Sequence, residues 1–292
     1  MSVFVAEELS EVLNTKVVIG RINMGLLNRI IIDDVLLDDQ SGQEMLKVTR
    51  LSAKFDIMPF FKGKISISSV QLFGFNINLR KETPDSPPNF KFVLDAFASK
   101  DTVKKENSLD LRINSILIRR GRMSYHVLSE EETPGKFNAK HIQLQNIIAN
   151  ISLKALSKDS LNLGIKRLSL DEKASGFSLK KMSLKLVANN KQTNIDNFTI
   201  ELPETSLKLD TIHLEYDSLK AFDRFTEQVH FSFRTLPSQV TLKDISPFVP
   251  ILSHFKEPVT LDMEVKGTVD QLTCSHLEIT ADDRQFRLRG DE

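Results

Sequence analysis

Residues 65–79 read ISISSVQLFGFNINL, with apolar residues at Ile65 and Ile67, then Val70 and Leu72, then Phe75, Ile77 and Leu79. Apolar residues at every second position are the mark of an extended strand with one apolar and one wet face. The step from Ile67 to Val70 is three rather than two. If the apolar side chains are to stay together, the extra residue has to be absorbed by a β-bulge or a strand end. The pattern leaves the inward parity beyond such a step open.

The same unit, two alternate apolar residues, a short polar gap and then two more, recurs along the chain. It appears as Leu109, Leu111, Ile113, then Ile116, Ile118, and as Phe177, Leu179, then Met182, Leu184, Leu186. Further strands are expected over 195–202, 207–216, 259–265 and 277–279, separated by turns such as DEKASG at 171–176 and ANNKQ at 188–192. About fifteen strands result, in a recurrence too loose for a strict solenoid. Helical spacing is confined to residues 3–13 (Val5, Leu9, Val12, Leu13), 90–98 (Phe90, Val93, Leu94, Phe97) and 244–255 around Pro247 and Pro250.

Three short helices cannot cover that many strands. A one-sided sheet must meet a second sheet, helices or its own far edge, or else leave an apolar trough. The expectation is a mainly β fold: an elongated, curved antiparallel sheet forming an open apolar groove, with a few short helices. Its length is on the order of 70 Å at about 4.8 Å per strand. A closed sandwich is the alternative. Residues 1–292 are read as one such segment. It comprises an amphipathic helix at 1–14, repeated hairpins over 15–243 with an insertion near 84–105, a short helical insertion at 244–256, and further β repeats over 257–292.

Composition narrows the chemistry. With 40% apolar and 27% charged residues the chain is expected to fold. Lysine plus arginine equals aspartate plus glutamate at 39 each, so there is no basic surplus and nucleic acid is not an expected partner. Arg119, Arg120 and Arg122 around Gly121 read as a solvated turn. The single cysteine, Cys274, allows no internal disulfide. No stretch approaches the roughly 18 apolar residues of a membrane span, and no signal-peptide pattern opens the chain, so it reads as soluble. The six histidines are scattered without metal-ligand spacing, so no metal or other cofactor is expected. GxGxxG, P-loop and GxSxG motifs are absent, and no catalytic residue is assigned. The pairs Asp33–Asp34 and Asp38–Asp39, near Gln40, Ser41 and Gly42, read as a polar hairpin turn. Phe55, Phe60, Phe61, Phe73 and Phe75 read as core or groove lining.

The sequence resembles the AsmA/TamB-like envelope proteins, in particular the TamB-like branch common in Bacteroidetes. VAEELSEVLNTKVVIGRINMGLLNRIIIDDVLLDDQSG at the start resembles the family's amphipathic helix, first hairpin and acidic turn. MLKVTRLSAKFDIMPFFKGKISISSVQLFGFNINLRK resembles its strand, connector around Met58 to Phe61, and returning strand. SPPNFKFVLDAF at 86–97 and ISPFVPIL at 245–252 are similar to its short helical insertions, and EPVTLDMEVKGTVDQLTCSHLEI at 257–279 to its GxVxxL repeat.

The resemblance implies a non-catalytic groove that moves phospholipid or other acyl-chain cargo between inner and outer membranes. It also implies a periplasmic location, an inner-membrane anchor helix preceding this chain, and an outer-membrane β-barrel as a possible partner. The chain is then expected to be the N-terminal portion of a longer protein. The expected lining is Ile65, Ile67, Val70, Leu72, Phe75, Ile77, Leu79, Leu109, Leu111, Ile113, Leu179, Leu184, Leu186, Ile212 and Leu214. Alternatives are a scaffold for outer-membrane protein assembly by strand addition at a sheet edge, and a structural or carbohydrate-binding β-sandwich.

Overall fold

The computed structural model describes residues 2–26, 28–55, 65–98, 109–110, 114–156, 160–281 and 287–291. The chain is mainly β, with sixteen strands among the described residues that pair mostly antiparallel, and a few short helices. It divides into two compact units, residues 1–149 with 170–176, and residues 150–169 with 177–292.

The first unit holds helix α1 (Ser2–Leu13), β1 (Val17–Gly25), β2 (Arg29–Asp38), β3 (Glu44–Phe55), β4 (Ile65–Lys81), helix α2 (Lys91–Ala98), β5 (Leu109–Asp110) and β6 (Ser115–Val127). Part of β7 (His141–Leu156) and the end of β8 (Ser160–Glu172) complete it. Strands β1 to β4 form an antiparallel meander. The next neighbour is not reached by a hairpin: β4 and β6 are parallel, from Ser69 beside Ser115 to Lys81 beside Val127. Parallel neighbours need a crossover of a dozen or more residues, and residues 82–114, which include α2, supply it.

The second unit contains β9 (Ser178–Asn189), β10 (Gln192–Glu201), β11 (Ser206–Glu215), β12 (His230–Arg234), β13 (Ser238–Val240), β14 (Val259–Gly267), β15 (Leu272–Ala281) and β16 (Arg287–Asp291). Its order is β9-β10-β11-β12-β14-β15-β16, antiparallel, with the short β13 bridging β11 and β14. The expected helix at 244–256 is instead two 3₁₀ turns, Leu242–Ile245 and Pro250–His254. Pro247 and Pro250 have no N–H to give an α-helical ladder.

The helices sit over one end of the first unit's apolar face. Ala6, Val17, Ile19, Leu37 and Met45 form a buried cluster, against which Val5 and Leu13 of α1, Leu46, Leu79, and Phe90, Phe92 and Val93 pack. The helix faces differ from those spacing predicts: Leu9 and Val12 of α1 are exposed, and so is Leu94 of α2. The side chain of Phe97 lies outside the described residues. Ser10 explains the rotation of α1. Its hydroxyl donates to the Ala6 carbonyl at 2.7 Å and accepts the Val17 N–H at 3.0 Å, turning the Ala6–Ser10 side toward β1.

Two buried carboxylates clamp turns of this unit. Asp39 Oδ1 accepts the Ser41 and Gln43 N–H groups at 3.0 and 3.1 Å, while Oδ2 takes Asn89 at 3.1 Å and pairs with Arg80 at 2.7 Å. The turn expected at Asp38–Gly42 is thus present, but Asp33 and Asp34 lie inside β2. Glu172 likewise accepts the N–H groups of Gln143 at 2.9 Å and Ser175 at 2.7 Å, and the Ser175 hydroxyl. Burial pushes both carboxyls up, but these donors outweigh it and hold them below their ordinary values of 3.8 and 4.5. A carboxylate with a lowered folded pKa contributes stability that is present above its unfolded pKa and is lost as pH falls through the folded one. Thermal melts of the first unit should therefore weaken steeply below about pH 4. Glu172→Gln should cost about 1–3 kcal/mol at neutral pH and flatten that acid limb; an unchanged limb would refute the clamp.

Candidate functional site

Strands β1 to β4 each carry their apolar residues in two sets separated by a step of three, and the register lines the sets up across these strands and onto β6. On one side run Ile22, Ile32, Leu51, Leu72 and Ile118, followed by Met24, Ile30, Ala53, Val70 and Ile116. On the other run Ile19, Val35, Val48 and Phe75, followed by Val17, Leu37, Leu46, Ile77 and Met123. Val48 and Phe75 pack with Leu51, Leu72, Ile118 and Met123, so both sets occupy one face.

What restarts the alternation is a crease of left-handed residues. Asp34 (φ 57°), Gly74 (φ 64°) and Arg120 (φ 55°) fall in one row with Thr49. Asn146 (φ 55°) lines the same small cleft as Thr49, Gly74 and Arg120. Were the strands extended throughout, the parity rule would send every side chain past the row to the opposite face. Two accommodations make room. Gly74 leaves space for Thr49, whose Oγ1 lies 2.7 Å from where a Cβ would stand, and Gly121 lets the Phe75 ring reach Ile147. The step from Ile67 to Val70 is met separately by a register shift between β3 and β4.

The second unit repeats the device. Leu186, Ile195 and Ile212 form one row, and Met182, Ile200 and Leu207 another. Between them Asn197 (φ 52°) and a bulge absorb the step. Beyond β11, Phe233, Val265 and Cys274 align, as do Met263 with Leu277 and Leu261 with Ile279.

Of the expected lining residues, Phe75 and Leu179 are buried, while Ile67, Val70, Leu72, Ile77, Leu79, Leu184, Leu186, Ile212 and Leu214 are half-buried. The side chains of Ile65 and Leu109, and residues Leu111 and Ile113, lie outside the described residues, as do Met58 to Phe61. Half-burial along rows such as Ile22–Ile32–Leu51–Leu72–Ile118 and Leu186–Ile195–Ile212 is what a sheet face without a covering layer gives, because neighbouring side chains shield only one another's flanks, whereas Ile19, Val48, Phe75 and Leu209 are buried. Cover is found at the ends. It consists of α1 and α2 in the first unit, and of Tyr216, Ala221 and Val229 over Leu214 in the second, where Phe248 also meets Phe177 edge-on at 5.0 Å.

The opposite face is polar. Arg119, Arg120 and Arg122 lie within β6 and not in a turn, because the crease needs a residue there rather than a chain reversal. Phe73 is also on this face, exposed, with the Arg120 guanidinium 5.2 Å from its ring centre. It belongs to neither core nor lining. An open cleft of about 530 Å³ is bordered by Arg21, Asp33, Arg50, Phe73 and Arg119. Asp33 accepts Arg50 Nε at 2.6 Å, and that bond holds its carboxyl below the usual range against the opposing effect of burial. Sequence spacing also gave no hint that His126 and His141 meet on this face, with Nδ1 atoms 3.0 Å apart.

No family model, curated protein or solved structure matches the chain. No helix among the described residues is long and apolar enough to cross a membrane.

If the left-handed residues hold the apolar sets on one face, Asn197→Gly should leave stability within about 0.5 kcal/mol and Asn197→Val should cost about 1–2 kcal/mol in urea unfolding. Gly74→Ala should cost as much or more, given Thr49. Equal tolerance of glycine and valine at 197 would remove the crease from the account.

Proposed function

We propose that this chain is a non-catalytic, lipid-handling β-groove segment of an AsmA/TamB-like envelope protein, which moves phospholipid between inner and outer membranes. In this reading it works in the periplasm, with an inner-membrane anchor supplied outside these residues and an outer-membrane β-barrel as a possible partner. The observation that carries the reading is that the apolar sets are kept on one face while whole rows of it, Ile22, Ile32, Leu51, Leu72 and Ile118 in the first unit and Leu186, Ile195 and Ile212 in the second, are only half-buried.

The energetics favour acyl chains as cargo. Two chains of about fifteen methylenes expose on the order of 25 kcal/mol of apolar surface in water, at about 0.8 kcal/mol per methylene. A face that accepts the chains continuously removes most of that barrier without any catalytic group. Strand addition to a client is the competing reading. It is favoured by β1, which among the described residues pairs only with β2 and offers its other edge.

Leu184 is half-buried on the apolar face, next to the exposed Lys185. Leu184→Asp should leave a cooperative melt within a few degrees of the parent, because the carboxylate stays partly hydrated, but should sharply reduce binding of a fluorescent phospholipid. Val265, only 1% exposed, is the contrast: Val265→Asp should unfold its unit. Loss of folded protein with Leu184→Asp as well would return the face to an ordinary core. Unchanged phospholipid binding by a folded Leu184→Asp would turn the reading toward strand addition.

A further inference from the structure

A cluster of two histidines and a glutamate lies on the polar face of the first unit. His126 is the next-to-last residue of β6 and His141 the first of β7, joined by the loop 128–140. The loop is drawn in by hydrogen bonds from Val127 N to Lys140 O at 2.9 Å and from His141 N to Asn138 O at 3.0 Å. This brings the imidazoles together, Nδ1 to Nδ1 at 3.0 Å, with ring centres 5.3 Å apart and planes at 52°. Glu132 of the same loop places a carboxylate oxygen 3.9 Å from His126 Nδ1. One ligand atom from each of the three lies within 4.8 Å of the others.

The tautomer of His141 follows from its surroundings. Its Nε2 is 2.9 Å from the Glu130 carbonyl oxygen, which can only accept, so Nε2 carries the hydrogen. In the neutral ring Nδ1 then presents its lone pair toward His126. An imidazole whose far nitrogen is tied to a backbone carbonyl is the usual arrangement of a metal-ligating histidine, since the tie fixes both tautomer and ring direction. His141 is buried, so the direction is held, whereas Glu132 is exposed and can move inward.

We propose that His126 Nδ1, His141 Nδ1 and the Glu132 carboxylate bind one divalent transition ion of the borderline class, with zinc as the representative, the fourth position being left to water. Two nitrogens bound at about 2.0–2.1 Å to a tetrahedral ion stand about 3.3–3.4 Å apart, so the pair need open by only a few tenths of an ångström. Imidazole and carboxylate donors suit zinc or copper rather than magnesium or calcium. The ion would staple the loop 128–140 to the adjoining ends of β6 and β7. Because His126 alternates with Tyr125 and Val127, it lies on the face of Arg122 and Ser124, away from the apolar rows. The site is therefore independent of lipid handling.

The test is titration of the chelator-stripped chain with zinc chloride, by calorimetry and by competition with a chromophoric chelator, alongside nitrogen chemical shifts of the labelled histidines. The expected result is one equivalent bound, with the Nδ1 resonances of His126 and His141 shifting and the Nε2–H of His141 retained. His126→Ala should weaken binding by about tenfold or more, and Glu132→Gln by less. If His126→Ala does not fold, His126→Asn keeps a polar group in place and should show the same loss. Absence of zinc binding by the parent, or equal affinity in parent and a folded His126 variant, would overturn the site.

Discussion

An extended chain must turn successive side chains to opposite faces, so one added residue reverses everything that follows it. The whole chain is built around that constraint. Its strands are up to 17 residues long, and the long ones of the crease stay one-sided because the alternation is restarted partway along. Asp34, Gly74 and Arg120 do this side by side in the first unit, and Asn197 does it in the second. Since neighbouring strands must be creased at the same register to keep their ladder, the restart is a row rather than a point.

The row has consequences for packing. It lets a long strand keep four apolar rows on one side, and it concentrates the polar residues of the gaps on the other. The ion pair of Asp33 with Arg50 and the placement of Arg120 over Phe73 are products of that concentration. On the apolar side the ends are covered by helices and turns and a small cluster around Val48 and Phe75 is buried, but rows such as Ile22 to Ile118 and Leu186 to Ile212 are left half-buried. An ordinary two-layer core would bury such rows completely, and the difference underlies the proposal of an acyl-chain surface.

Much of this was readable from the sequence, because strand periodicity is carried by residue type. The apolar sets Val70–Leu72 and Phe75–Ile77–Leu79, the turns at 171–176 and 188–192, and the scarcity of helix all follow from alternation and turn chemistry. The crease was visible only as a step of three. Its residues are an aspartate, a glycine, an arginine and asparagines, so no common residue type announces the left-handed conformation. The parallel pairing of β4 with β6 was hidden because a crossover and a long hairpin connection look alike in one dimension. The faces of α1 and α2 were misjudged for a related reason. Ser10 satisfies two backbone groups, and so decides the orientation of a helix whose apolar arc is broader than the surface it covers. His126 and His141 are 15 residues apart and became neighbours only once β6, β7 and their loop were in place.

The central claim is that one face, and not the other, meets acyl chains. Leu186 and Val187 are adjacent on β9. Leu186 is half-buried on the apolar side, and Val187, 48% exposed, is on the opposite side. A photo-activatable residue placed at each position in turn, with the protein mixed with phospholipid vesicles and the adducts read by mass spectrometry, separates the two faces within a single dipeptide. The account predicts phospholipid adducts at 186 and none above background at 187. Equal labelling at both positions, or labelling at 187 alone, would contradict it.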